Sequence, residues 1–502
     1  MTRNSAMAAS QAGAIGPRRG LEPRSWLRAL IVAGLIAGMG IPVGVGIAYG
    51  FTLPIILVLA ALIVFLLILR GWPVLAFVFL AAAALLTRYK LEVGAFSVRA
   101  EHMAALGIAF LGAWQLVRWR ERLVITTPGV FALGWLATNL AATMLNAPNP
   151  ADSQRHTFRL FLVVLNFFLA VNLLQKPRQW RQAYRWFLFL GVAEAAFGLF
   201  ALAVYALGIN LGVQTAPNLP YPVPYGTFEE GNLFGSHSAA WLLALLFLYL
   251  GGEPPPERAL LRRVVLSIGI GILGLAVLLS LSRGAWLGLL AGLLLVYVYH
   301  DRGRAGQMRR LTLVLIAGPV VASLLILALL FLPDSVPLIG RIRSFADLGR
   351  DATFQGRLDD LPRAWDDWSQ HPIIGWGPGT YVQLHGILRG SPAWLPNIIL
   401  RTMQETGAVG LVLFAGYVLS LLMSAVRASR FARGPDDRAM LLGLAVGYCA
   451  LLVSYQATDG TWLAAPWLHT GLLMAGERAL AGQKREGTQG AEPGAPRSTV
   501  SP

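Results

Sequence analysis

Apolar runs of about twenty residues, parted by short charged breaks, recur along almost the whole chain. A helix needs about 20 mostly apolar residues to cross the hydrocarbon layer of a bilayer, so the pattern predicts a polytopic helical membrane protein. The runs place fourteen spans, at 29–49, 52–69, 71–87, 103–117, 129–145, 158–175, 183–207, 236–251, 264–281, 283–299, 311–332, 405–426, 439–457 and 462–478. Because 103–117 is short and two runs crowd around Arg70, counts from twelve to fourteen fit the same pattern. The expected fold class is therefore all-α, a membrane helical bundle. One long polar stretch interrupts it, and the layout reads as a disordered cytoplasmic N-terminus (1–25), eleven spans (26–332), a large extracytoplasmic loop with short helices (333–404), three last spans (405–480) and a disordered cytoplasmic tail (481–502).

Composition agrees with the pattern: 56% of residues are hydrophobic and 13% charged, against roughly 25% charged in soluble domains. The arginines near the N-terminus (Arg18, Arg19, Arg24) followed by an apolar run look like the start of a secretory signal, but a retained first helix suits a membrane-embedded chain. The one cysteine, Cys449, excludes an internal disulfide framework and reads as a small buried hydrophobe. No dinucleotide fingerprint, phosphate-binding P-loop, HExxH or paired CxxC occurs.

Charge then orients the bundle, since Lys and Arg accumulate in short cytoplasmic loops. With the N-terminus inside, inner segments hold 28 of the 41 basic residues and outer segments 13. The long polar loop faces outside in this arrangement, with both termini cytoplasmic and the protein in the inner or plasma membrane. Its seven arginines balance its seven aspartates, and these arginines, Arg343 and Arg401 among them, are exceptions to the charge bias. A salt-bridged surface explains such charges cheaply; an anionic ligand explains them more sharply.

Four stretches carry candidate chemistry. Arg283, in Ser280-Leu281-Ser282-Arg283-Gly284, stands at the outer junction of two apolar runs, where a charge costs several kcal/mol and marks a functional hypothesis. Arg357 leads into Leu358, Leu361, Trp365 and Trp368, one apolar helical face that fits an amphipathic helix at the membrane surface, starting near Asp360 so that Pro362 falls in its first turn. His371-Pro372-Ile373-Ile374-Gly375-Trp376-Gly377-Pro378-Gly379 is a tight glycine-rich turn, and Asp359 with Asp366 share a spacing that a cation could use. Pro396-Asn397 through Arg401 to Glu405-Thr406-Gly407 opens the next span, with Glu405 at its dipole-favoured start.

In this order the four stretches, with Gly226-Thr227-Phe228 before them, resemble the O-antigen ligase and polymerase superfamily of membrane glycosyltransferases. The resemblance runs from about Tyr225 to Gly471 and implies transfer of a glycan from a polyprenyl-pyrophosphate carrier to an acceptor hydroxyl of a glycan, lipid or protein on the outer membrane face. It implies neither cofactor nor metal, and no nucleic acid partner. Arg283 and Arg357 match family arginines that hold the donor pyrophosphate; Arg343, His371, Asn397 and Arg401 complete the candidate binding set. The chain departs from the ligases where they carry a His-Asn pair and this sequence has Pro396-Asn397. His385 or Glu405 must then replace the base that activates the acceptor. Tyr221, Tyr225, Trp376 and Trp394 are available to stack on sugar rings. Other classes compatible with the sequence are a transporter or flippase of lipid-linked glycans, disfavoured because only Glu194 and Asp459 are deep charges, and an inactive envelope-assembly protein. A phosphatase reporter inserted at Gly390 is expected to be active, because the loop is exported, and one inserted after Arg304 inactive; the reverse result reverses the topology.

Overall fold

The computed structural model describes residues 73–93, 96–119, 123–216, 219–251, 256–300, 352–388, 390–432 and 434–489. The expected N-terminal segment 1–25, the spans 29–49, 52–69 and 311–332, and Arg343 lie outside them. The helices are α1 (Pro73–Leu85), α2 (Ala100–Trp119), α3 (Thr127–Leu145), α4 (Pro150–Leu173), α5 (Pro177–Tyr205), α6 (Gly231–Gly251), α7 (Pro256–Leu279), α8 (Arg283–His300), α9 (Ala352–Gln370), α10 (Thr380–His385), α11 (Ile398–Phe431), α12 (Pro435–Ser454) and α13 (Ala464–Gln489). Among the described residues seven helices are long and apolar enough to cross a membrane, and α1 and most of α8 are shorter apolar helices. The protein is thus a mostly helical, multi-pass membrane protein.

Local chemistry sets the helix starts. Proline occupies the first turn of α3, α4, α5 and α12, where its missing N–H costs nothing. Thr126, Asn149 and Asn397 accept from backbone N–H groups of the first turns of α3, α4 and α11, as short polar caps do. Helix α6 is buried along most of its length and packs against α7, α8 and α12. Small residues allow the close approach: a Cβ on Gly443 would lie 2.9 Å from the Ala244 Cα, the arrangement that brings membrane helices together.

Three antiparallel hairpins were not expected in an all-α chain: β1 (Lys90–Val93) with β2 (Phe96–Arg99), β3 (Val213–Ala216) with β4 (Leu219–Pro224), and β5 (Ile387–Leu388) with β6 (Ser391–Pro392). Each lies in a connection between helices, where extended backbone pairs with itself. The tail differs too: α13 runs to Gln489, past Ala481, because Ala, Gln, Lys, Arg and Glu there are good helix formers.

The loops divide between two ends of the bundle. At one, Arg181 forks onto Asp437 at 2.6 and 2.7 Å and Arg262 onto Asp436 at 2.9 and 3.0 Å; these are connections read as inner. At the other end gather the hairpins, α9, α10 and the starts of α4, α6, α8, α11 and α13.

That second end is organised by a break in α11. Gly407 has φ 64° and ψ −164°, a conformation open essentially to glycine alone. The break frees backbone groups, and the His371–Gly379 turn takes them up: Ala408 and Val409 donate to Pro372 and Ile373 carbonyls at 2.8 and 3.2 Å, while Trp376 and Gly377 N–H donate to Gln404 and Glu405 carbonyls at 2.9 and 2.8 Å. The helix therefore starts at Ile398, seven residues before the expected boundary at 405, with Asn397 as its cap. Glu405 sits at the C-terminal end of the first segment, where the dipole disfavours a carboxylate, so its placement needs specific partners. Gly407→Ala is expected to lower the unfolding temperature in detergent, at a cost of about 1–3 kcal/mol from strain alone, since its Cβ would also lie 2.4 Å from the Ile373 carbonyl oxygen. Gly434→Ala, with open space around it, should leave that temperature unchanged.

Candidate active site

The first segment of α11 presents Arg401 and Glu405 one turn apart. Arg401 Nε donates to Glu405 Oε1 at 2.9 Å, which also accepts the Gly379 N–H at 3.0 Å. Arg401 Nη1 donates to Asp459 Oδ2, and Asp459 Oδ1 accepts from the N–H and hydroxyl of Thr461 at 2.8 Å each. Arg401 is 13% exposed at the side chain and Asp459 0%. A buried guanidinium between two carboxylates is tolerable because each charge is paired and hydrogen-bonded.

Asp459 belongs to the connection between α12 and α13, and this short segment joins the rest of the site. Its Tyr455 carbonyl accepts from Ile398 N–H at 2.9 Å, and Asn397 donates to Gln456 at 3.2 Å. Thr458 donates to Glu230, before α6, at 2.5 Å. Burial raises the Glu230 carboxyl above its ordinary range, opposed by Thr458 and by the nearby charge of Arg357.

Arg283 opens α8 beside them. Leu281 before it adopts φ 51°, an outlier for a bulky residue, and Ser282 accepts the Ala285 N–H at 3.3 Å as a cap. Ser454 donates to the Gly284 carbonyl at 3.1 Å, and a Cβ on Gly231 would lie 3.6 Å from the Ser280 carbonyl oxygen. Arg283 is 7% exposed. The tight turn between α7 and α8 therefore fixes Arg283 next to the start of α6 and the end of α12.

Helix α9 starts at Ala352, not near Asp360, and carries Pro362 inside it. The rung lost to proline is the one to the Leu358 carbonyl, four residues before it. Leu358, Leu361 and Trp365 are exposed, while Asp360 and Asp367 are buried. This inversion suits an amphipathic helix whose apolar side meets lipid. Inside, Tyr381 donates to Asp360 at 3.2 Å and His385 Nε2 lies 2.9 Å from Asp367 Oδ2. Burial raises the Asp367 carboxyl, and His385 opposes the shift. The inward acids are thus Asp360 and Asp367; Asp359 and Asp366, the pair spaced for a cation, are exposed.

The sequence-predicted residues fall into three groups. Arg283, Arg401 and Glu405 lie around the 454–459 segment, and Arg357 stands on α9 with its charge acting on Glu230. His385 stands with Asp367 under α9, and His371 packs edge-on to Trp376 at 4.2 Å within the turn. Asn397 is the α11 cap. Sequence reasoning missed Glu230, Thr458 and the pairing role of Asp459. It also missed Arg99, which bonds Glu229 at 2.9 Å and stacks on Trp462 at 4.4 Å, and His156, against which a Cβ on Gly379 would collide at 2.5 Å. Asp459 was legible as an acid in Thr458-Asp459-Gly460-Thr461 between two apolar runs, and Glu230 as a neighbour of Gly226-Thr227-Phe228.

Fold and site together define a helical membrane protein in which arginines and acids pair at one end of the described helices. Residues 268–415 match the family model described as O-antigen ligase, a stretch that overlaps the ordered motifs. That region includes Arg283, Arg357, His371, His385, Arg401 and Glu405. No curated protein matches the chain. Arg401→Gln, which keeps bulk but leaves Glu405 and Asp459 facing each other uncompensated, should cost about 3–5 kcal/mol. Thermal unfolding of the purified protein measures this, and Arg401→Gln combined with Asp459→Asn should recover part of the loss.

Proposed function

We propose that this protein is an O-antigen ligase- or polymerase-like glycosyltransferase, moving a saccharide from a polyprenyl-pyrophosphate carrier to an acceptor hydroxyl on the outer face of the cell membrane, in cell-surface polysaccharide assembly. The reading includes the fourteen-span topology with the 333–404 loop outside. The observation that carries it is the placement of Arg283 at the tight α7–α8 turn, against the start of α6 and the end of α12, with the charge of Arg357 acting on Glu230 just before α6, in a chain whose 268–415 region matches the family model described as O-antigen ligase.

In this mechanism the acceptor oxygen attacks the anomeric carbon, the bond from that carbon to the pyrophosphate oxygen breaks, and the pyrophosphate leaves with both bonding electrons. Arg283 and Arg357 meet the charge that develops there, and guanidinium forks suit phosphate oxygens. The acceptor proton needs a base. Glu405 Oε1 is already engaged by Arg401 and Gly379, so its part is to hold Arg401. His385 takes the proton. With Nε2–H directed at Asp367, its Nδ1 keeps a lone pair, and the carboxylate steadies the imidazolium that forms. Arg357 and Asp367 lie ten residues apart on α9, about 15 Å along a helix, which leaves room for a sugar between phosphate clamp and base.

Purified protein given synthetic polyprenyl-pyrophosphate saccharide and acceptor tests this. Arg283→Ala and Arg357→Ala should each lower transfer about 10²–10³-fold, with unfolding temperatures near wild type. Undiminished transfer in both removes the phosphate role. His385→Gln should lower kcat and abolish the acid limb of the pH–rate profile; a retained limb assigns the base elsewhere.

A further inference from the structure

The segment leading into α11 has one side chain turned away from the rest. Ala393 and Leu395 are buried in a small core with Ala364 and Tyr381, and Trp394 between them is 47% exposed. Alternation of this kind follows from extended backbone, and Pro396 enforces it, because a residue before proline is driven to the extended region. Trp394 thus projects opposite to its neighbours. It lands on the charge centre: the Arg401 guanidinium lies 4.4 Å from its ring centroid, and Trp462 meets it edge-on at 6.2 Å and 87°.

Both indoles are held rigidly. Trp462 donates to the Asp459 carbonyl at 2.7 Å and has Arg99 over its ring at 4.4 Å, while Arg99 is fixed by Glu229 at 2.9 Å and Glu101 at 3.6 Å. Glu101 in turn accepts the Ala464 N–H at 3.0 Å. The result is an L-shaped aromatic corner, backed by buried guanidinium groups, with Glu229, Asn397 and Gln456 as polar groups around it. Membrane anchoring accounts for Trp365, which lies on the apolar outer side of α9, but such an anchor has no need of an ion-paired arginine beneath it. A rigid aromatic wall with polar groups at its rim suits a ligand that is apolar on its ring faces and polar at its edges.

We propose that Trp394 and Trp462 form a saccharide subsite, with the open face of Trp394 stacking on a pyranose ring directly over Arg401. The assignment rests on the proposed glycan transfer for its ligand class, and the ring belongs either to the acceptor or to the donor glycan. Full-length protein in detergent is offered an array of free, carrier-less bacterial oligosaccharides, which reads saccharide binding without phosphate or transfer. Wild type and Trp394→Phe should retain the same array members, and Trp394→Ala should lose at least about tenfold in affinity, the scale of removing a buried aromatic anchor. Thermal unfolding near wild type confirms that an exposed side chain was removed without loss of fold. Equal affinity in Trp394→Ala, or no saccharide held by wild type, overturns the subsite. Where transfer is measurable, a raised KM for acceptor alone or for donor alone assigns the ring to that source; unchanged KM values for both overturn the proposal. Saccharide binding that persists in a protein unable to transfer leaves the subsite standing while the transfer reading falls.

Discussion

A membrane helix that breaks at Gly407 must find hydrogen-bond partners for the backbone it frees, and in a bilayer the only partners are other parts of the protein. The His371–Gly379 turn supplies four of those bonds. Much else follows from this one accommodation. The turn is held against α3 and α4 by Asn146 and Ser153, which donate to the Ile374, Gly375 and Pro378 carbonyls, and it sends the Gly379 N–H to Glu405. Glu405 in turn orients Arg401, and Arg401 reaches Asp459. A backbone defect thus sets the position of a buried charge cluster.

The charges at this end are mutually compensating. Arg99 and Arg401 come from separate parts of the chain, as do Glu229, Glu405 and Asp459, and the described pairs bring opposite signs within hydrogen-bond reach. Such pairs are costly to assemble and sensitive to the loss of either partner, which makes them a poor way to stabilise a fold and a good way to fix Arg99 and Arg401 in space.

The apolar periodicity was enough to read the helical membrane class and the positions of eleven described helices, because burial in lipid selects residue type over long windows. Arg283 was legible as a charge at the junction of two apolar runs, and Arg357 and Glu405 through their places in the ordered motifs. What sequence could not reveal was partnership. Glu405 looked like a residue at a helix start because the break lies two residues after it, and Gly407 alone does not announce that the helix resumes. The inward face of α9 was hidden for a related reason: its apolar stripe was legible as a membrane-surface face, but nothing in the spacing marked Asp360 and Asp367, on the other side, as the acids that turn in. The hairpins are too short to leave a period-two signal.

The shared hydrogen bonds between the turn and the broken helix also determine what can be exchanged between relatives. Residues 371–409 do not divide into a loop and a helix that could be swapped independently, since each half completes the backbone of the other. Chimeras cut at the hydropathy boundary near 405 would sever that mutual completion, whereas cuts before α9 and beyond the kink would carry it whole. Recombination, natural or engineered, should therefore treat this stretch as a single cassette.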